Sequence, residues 1–156
     1  MITVIDQALL AELGAEAQRS PRRRKNHNFH PADDYPGHRL LNAIEPGSYV
    51  VPHRHLDPAK DESIVCLRGC LGIIVFCPSR AVDRNYRLSP AGNCIGVDIP
   101  HGVYHSVLAL ERGTVFFEAK AGPYVPLAAD EKAPWAPAEG EAGVAMYLAG
   151  LRRLFD

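Results

Sequence analysis

Between residues 39 and 120 the chain is cut into eight short apolar segments, and this limits its fold more than any other feature. The segments are Arg39 to Ile44, Tyr49 to His55, Glu62 to Leu67, Leu71 to Cys77, Val82 to Leu88, Ile95 to Ile99, His105 to Leu110 and Thr114 to Lys120. Pro46-Gly47, Arg68-Gly69, Ser89-Pro90, Gly102 and Arg112-Gly113 stand between or beside them as turn signals. Runs this short and evenly spaced predict an all-β sandwich or barrel. Gly and Pro together contribute 26 of 156 residues, 13 each, so turns are frequent and long helices few.

Helical patterns occur only at the two ends. Asp6 reads as an N-cap for a short amphipathic helix whose apolar face is Leu9, Leu10, Leu13 and Ala17, ended by Ser20-Pro21. The basic and polar stretch Arg22 to His30 reads as a solvated connection. Gly122 to Gly140 carries Pro123, Pro126, Pro134 and Pro137, which disqualify it as a central strand, so it is expected to wrap the barrel. Glu141 to Phe155, with Val144, Leu148, Leu151 and Phe155 at helical spacing, is expected to close the chain as a helix. A chain of 156 residues suits one domain, 1–156: an N-terminal segment 1–38, a barrel of about 39–121 and a C-terminal segment 122–156.

Charge and cysteine content exclude several functions. Lys+Arg 17 against Asp+Glu 18 gives a net charge of -1, too balanced for an electrostatic nucleic-acid binder, and the four basic residues Arg22 to Lys25 make too small a footprint to change that. The longest apolar run, Cys70 to Cys77, is far short of the roughly 20 residues of a membrane-spanning helix. Cys66, Cys70, Cys77 and Cys94 lack paired C-x-x-C spacing and read as buried thiols. With no secretory pattern at the N-terminus, a soluble protein of a reducing bacterial cytoplasm is expected.

Chemistry concentrates in Gly47-Ser48-Tyr49-Val50-Val51-Pro52-His53-Arg54-His55 and the residues after it. On a strand, His53 and His55 share a face with Cα atoms roughly 6.5 to 7 Å apart, close enough for two imidazoles to converge on one ion. The loop Leu56 to Asp61 can return the chain to a neighbouring strand on which Glu62 supplies a carboxylate, with Ile64 and Cys66 on the same inward face. Downstream, Pro100-His101-Gly102-Val103-Tyr104-His105 places His105 at the start of another strand. Three imidazoles and a carboxylate make an N/O ligand set for one divalent transition metal ion such as Fe, Zn, Mn or Ni, and the absence of thiolate argues against a purely structural zinc site.

This spacing resembles the two motifs of the cupin superfamily: Gly47, five residues, His53-x-His55, six residues, Glu62, six residues, Gly69, then Gly96, Pro100-x-Gly102 and His105. The Gly96 to Pro100 gap is shorter than usual and Ala109 stands at the terminal Asn position, but neither departure removes a ligand. The stretches Arg24 to His30, Glu45 to His55, Gly122-Pro123-Tyr124 and Ala133 to Pro137 are similar to the WbuC family of cupin-fold metalloproteins. The resemblance implies a cupin double-stranded β-helix, a jelly-roll barrel with short N- and C-terminal helices. It also implies a metal site held by His53, His55, Glu62 and His105, and a context in bacterial O-antigen or other surface polysaccharide biosynthesis.

Around these residues, Arg54, Lys60 and Tyr104 flank the ligands and are candidates for binding an anionic substrate. Asn26, His27 and Asn28 are candidates for binding a sugar if the N-terminal segment folds over the barrel mouth. His101 falls on the opposite strand parity to His105 and reads as a rim residue, and Asp57 and Asp61 are alternative carboxylates to Glu62. The leading reading is a metal-dependent enzyme acting on a small molecule, a nucleotide-linked or other activated sugar, in which the ion acts as a Lewis acid. The alternatives are a non-catalytic sugar or metabolite sensor and an Fe-dependent dioxygenase. A homodimer that covers the open sheet edges is the expected assembly.

Overall fold

The computed structural model describes residues 1–156. Its elements in chain order are α1 (Gln7–Arg19), β1 (Arg24–Asn28), β2 (Gly37–Ile44), β3 (Glu62–Arg68), β4 (Leu71–Phe76), β5 (Val82–Leu88), β6 (Gly96–Ile99), β7 (Tyr104–Ala109), β8 (Thr114–Ala121) and α2 (Val144–Arg152), the last followed by a 3-10 turn, Arg153–Phe155. All strand pairs are antiparallel and build two sheets, β1-β2-β8-β3-β6 and β5-β4-β7. This is the all-β, two-sheet architecture expected from the segment spacing, in the jelly-roll form that the cupin resemblance implies.

Four layers result. Ile44, Ile64, Cys66, Leu71, Ile73 and Phe116 belong to the core between the sheets. Leu10, Leu13 and Ala17 of α1 pack with Leu41, Ala43 and Val115 on the outer face of the five-stranded sheet. Ile74, Phe76, Tyr104 and Leu108 back the three-stranded sheet and meet Ala133 and Leu151 of the C-terminal segment. Each leucine so buried contributes roughly 1.5–3 kcal/mol relative to exposure. Asp6 caps α1 by accepting from the Leu9 amide at 2.9 Å. Cys66 and Cys70 are buried, whereas Cys77 and Cys94 are only half-buried. No helix is long and apolar enough to cross a membrane.

Three expectations need correction. The segment Tyr49 to His55 is not a regular strand; it pairs only at His53, which bridges His105 on one side and Lys132 on the other. Its ladder groups are already used: Ser106 Oγ donates to Val50 O at 2.7 Å, Pro52 has no N–H, and Pro52 O accepts from Ala133 N at 2.9 Å. Second, Arg24 to Asn28 is strand β1, paired in register with β2 from Arg24↔Ile44 to Asn28↔Leu40. Its polar edge position hides the alternation that would have marked it. Third, α2 begins at Val144, because Gly140 turns at φ 90° and Glu141 accepts from Ala138 N at 2.9 Å instead of opening a helix.

Gly69, in the β3–β4 turn, has φ 74°, and a Cβ there would fall 2.6 Å from Thr114 Oγ1 and 2.9 Å from Thr114 Cα. Thr114 cannot retreat, because its hydroxyl accepts from Cys70 N at 3.2 Å and donates to Glu111 O at 2.8 Å. Gly69→Ala is therefore expected to lower the urea unfolding free energy by about 1–3 kcal/mol. Gly37→Ala, with open space around its Cβ, should stay within about 0.5 kcal/mol in the same assay.

Candidate metal centre

The cluster forms where two irregular connections meet two strands. His53 N donates to His105 O at 3.0 Å and His105 N to His53 O at 2.8 Å, which splices the 49–55 segment onto β7. Gly102 N donates to His55 O at 2.7 Å and holds the following residues over the β6–β7 turn. Glu62 opens β3, facing Lys120 of β8 and Ile99 of β6 across the sheet. One ligand-type atom from each of His53, His55, Glu62 and His105 then lies within 4.8 Å of all the others.

Ring orientation suits a ligand role. His53 Nδ1 lies 2.9 Å from Val51 O and His105 Nδ1 2.9 Å from Val103 O, so each ring donates to the carbonyl two residues upstream and turns Nε2 inward. His55 Nε2 lies 3.1 Å from Glu62 Oε2. His105 Nε2 is 3.7 Å from the same oxygen, beyond hydrogen-bond reach, and is buried with no partner. An orphaned buried imidazole nitrogen aimed at a carboxylate and two further imidazoles is a fit for a cation.

The electrostatics agree. Burial, reinforced by the neighbouring His105, pushes His53 down to about 3, so its ring is neutral and carries a free lone pair at neutral pH. Burial also opposes charge on His105, but the Glu62 carboxylate outweighs it and raises this pKa. Burial works against the charge on Glu62 as well, yet the adjacent histidines and Lys120 hold its carboxyl well below the usual range.

His53, Glu62 and His105 line a cavity of about 280 Å³ whose other walls are unexpectedly charged. Glu118 is buried, its Oε2 accepting from Asn42 Nδ2 at 2.8 Å and its Oε1 lying 2.6 Å from Lys120 Nζ. Burial and the charge of Glu62 raise the Glu118 pKa, whereas the Glu118 and Glu62 charges overcome burial to raise that of Lys120. Asn42, Glu118 and Lys120 are not among the residues expected from the sequence. The available signal was parity: Glu118 and Lys120 continue the inward face of Thr114 and Phe116 on β8, and Asn42 precedes the inward Ile44 by two.

The remaining candidates are divided among several places. Asn26 lines the cavity and donates to Asn28 Oδ1 at 2.8 Å. His27 points to the opposite face of β1, edge-on to Phe29 at 5.1 Å. Lys60 is buried, donates to Pro123 O at 2.6 Å and lines a second cavity of about 190 Å³ that reaches His53 and His55 from another side. Arg54 and Tyr104 stay outside both cavities, stacked on each other at 4.5 Å in a surface cleft with Trp135. His101 is at the rim, its Nδ1 2.8 Å from Asp61 Oδ1, and Asp57 caps a turn by accepting from Ala59 N.

A family model described as "Domain of unknown function (DUF6016)" matches residues 5–88, more than half of the chain. The chain belongs to the DUF6016 family. The matched region includes His53, His55 and Glu62 and ends before His105 and Glu118. No curated protein matches this DUF6016 chain. Among solved structures it is similar to KdgF from Halomonas sp., at 18% identity over 68% of this chain and 84% of that one, with a TM-score of 0.52. It is similar to the conserved SPY1581 protein of unknown function from Streptococcus pyogenes, at 12% identity, 80% and 91% coverage and a TM-score of 0.53. CapF bound to the inhibitor 3-isopropenyl-tropolone matches at 21% identity and a TM-score of 0.53, over 67% of this chain and 29% of CapF. At these identities the likeness is one of fold, an antiparallel two-sheet barrel.

Lys120 separates two buried carboxylates. Lys120→Met is expected to cost about 3 kcal/mol in urea unfolding by stranding Glu118 beside Glu62, and adding Glu118→Gln should recover most of that loss.

Proposed function

We propose that the protein is a metal-dependent cupin enzyme in which His53, His55, Glu62 and His105 hold one divalent transition-metal ion. The observation that carries this reading is the buried, unpartnered Nε2 of His105, facing a carboxylate and two imidazoles whose ligand atoms lie within 4.8 Å. Without an ion, such a group costs roughly 1–3 kcal/mol of unmet desolvation. An ion there supplies Lewis acidity, polarising a carbonyl or hydroxyl or lowering the pKa of bound water. The donor set suits iron, zinc, manganese or nickel.

The substrate in this reading is a small molecule, a nucleotide-linked or otherwise activated sugar of bacterial surface-polysaccharide biosynthesis. The similarity of Arg24 to His30, Glu45 to His55 and Ala133 to Pro137 to WbuC proteins supports that context. So does the cavity wall: Asn26 and Asn42 offer amides and Glu118 offers acceptor lone pairs, a lining suited to hydroxyl groups. Glu118, with Lys120 against it, is placed to hold or move a proton at a substrate hydroxyl.

Elemental analysis of protein purified without a metal-affinity tag should find near-stoichiometric metal, and a His53→Ala, His105→Ala double variant that retains its β-sheet circular dichroism should lose it. A metal-free parent after reconstitution with each of the four ions overturns the reading.

Proton coupling gives a second check. His105, its pKa raised, binds a proton that an incoming ion must displace, whereas His53 is already neutral. Zinc affinity should therefore fall as pH drops below the folded pKa of His105, by up to about tenfold per pH unit for one displaced proton, and level off above it. Calorimetric titrations in buffers of different ionisation enthalpy read the released proton directly.

A further inference from the structure

The mouth of the cavity carries two arginines that the metal reading leaves unused. Arg22 and Arg24 line the same cavity as His53, Glu62 and His105. The Arg22 side chain is 63% exposed, that of Arg24 22% and that of His105 only 2%, a gradient that runs from the entrance at Arg22 past Arg24 to the cluster at the floor. Both guanidiniums hold one carboxylate, Glu139 of the C-terminal wrap. Glu139 Oε1 accepts from Arg22 Nε at 2.8 Å, and Oε2 accepts from Arg22 Nη2 at 2.7 Å and Arg24 Nη2 at 2.9 Å.

Three N–H groups from two guanidiniums around one oxyanion is the geometry by which arginines bind phosphate. Arg24 is fixed in place before any ligand arrives, since its Nη1 donates to Tyr49 O at 3.1 Å and reaches Ser48 Oγ at 3.3 Å. Glu139 lies in a turn outside every helix and strand and its side chain is 40% exposed, so it can leave with little disturbance. The hydrogen bonds from Arg22 bring its carboxyl down to about 2, so it occupies the pair as an anion at all ordinary pH.

Size points the same way. A cavity of about 280 Å³ lies just below the roughly 300 Å³ at which pockets for drug-sized ligands begin. It admits one sugar ring and leaves the phosphate of an activated sugar outside, at the entrance.

We propose that Arg22 and Arg24 form a phosphate-binding subsite at the cavity mouth, in which Glu139 occupies the position of a substrate phosphate until one displaces it. The proposal rests on the reading that an activated sugar enters this cavity, and it names the group by which that substrate is captured. Glu139 is then a built-in competitor that lowers apparent affinity by the fraction of time it occupies the pair.

The test uses the full chain freed of metal with a chelator, so that no ion contributes to binding, and inorganic pyrophosphate as the probe, by calorimetry at low salt. Glu139→Gln is expected to bind pyrophosphate at least about tenfold more tightly than the parent. Adding Arg24→Gln to that variant should abolish binding; should this pair unfold, Arg22→Gln, at a largely exposed position, replaces Arg24→Gln. Unchanged affinity in Glu139→Gln, or binding that survives removal of the arginine, overturns the subsite. Placing His53→Ala and His105→Ala in the Glu139→Gln background separates the two readings. Retained pyrophosphate binding supports a subsite at the mouth whatever the metal content, and lost binding moves the anion to the histidines and overturns the subsite.

Discussion

Two backbone hydrogen bonds, exchanged between His53 and His105, hold the site together. β7 is an edge of the three-stranded sheet, and a bare edge presents unpaired amides and carbonyls. The 49–55 segment covers it at one residue and is itself covered by Lys132 of the C-terminal wrap. That single pairing brings the two rings to 4.6 Å between centroids. Because each Nδ1 is spent on the carbonyl two residues upstream, the pairing also decides which nitrogen of each ring faces the interior. A regular strand would have continued the ladder past His53. The irregular path lets His55 depart from the sheet and approach Glu62.

The barrel interior changes character within two residues on three adjacent strands. On β2 the inward face runs from Ile44 to Asn42, on β8 from Phe116 to Glu118 and Lys120, and on β3 from Cys66 and Ile64 to Glu62. The apolar half supplies the packing that keeps the sheets apart at a fixed spacing. The polar half carries two buried carboxylates beside a half-buried lysine, an arrangement costly in a low-dielectric interior. A cation held at the His53–His55–Glu62–His105 cluster would offset the charge of Glu62. The same count explains why Lys120 sits across the sheet from Glu62 while contacting Glu118: it screens both carboxylates from each other.

The β architecture was legible because it rests on short-range rules, whereas the four clustered residues were joined by the resemblance of their spacing to the cupin motifs. Segment length and turn residues identified the strands, and parity around Glu62 and the spacing of the histidines identified residues that share a face. What escaped was whatever depended on non-local pairing. β1 has polar residues on both faces, Arg24 and Asn26 toward the cavity and Lys25 toward Glu16 of α1, so nothing in its own composition distinguishes it from a loop. Arg54 and Tyr104 neighbour the clustered histidines in sequence but fall on the other side of the chain, where Tyr104 joins the core under Trp135. Adjacency in sequence near an inward-facing residue is a reason to expect the outward face.

The segments that resembled linkers complete the cavity. The barrel alone contributes the cluster and the Asn42–Glu118–Lys120 wall, all from β2, β3, β7 and β8 and the 49–55 segment. Arg22, Arg24 and Asn26 come from the stretch before the barrel, and Glu139 from the wrap after it. These ends are joined to each other and to the 49–55 segment at one place: Arg24 binds Tyr49 O and Glu139, and Tyr49 donates its hydroxyl to Pro137 O at 2.8 Å. The cavity entrance is therefore fixed by the same short stretch that carries His53. A change in how the chain ends pack at Tyr49 reshapes recognition at the mouth first, because the His53–His105 pairing lies beyond it and is held by its own backbone bonds.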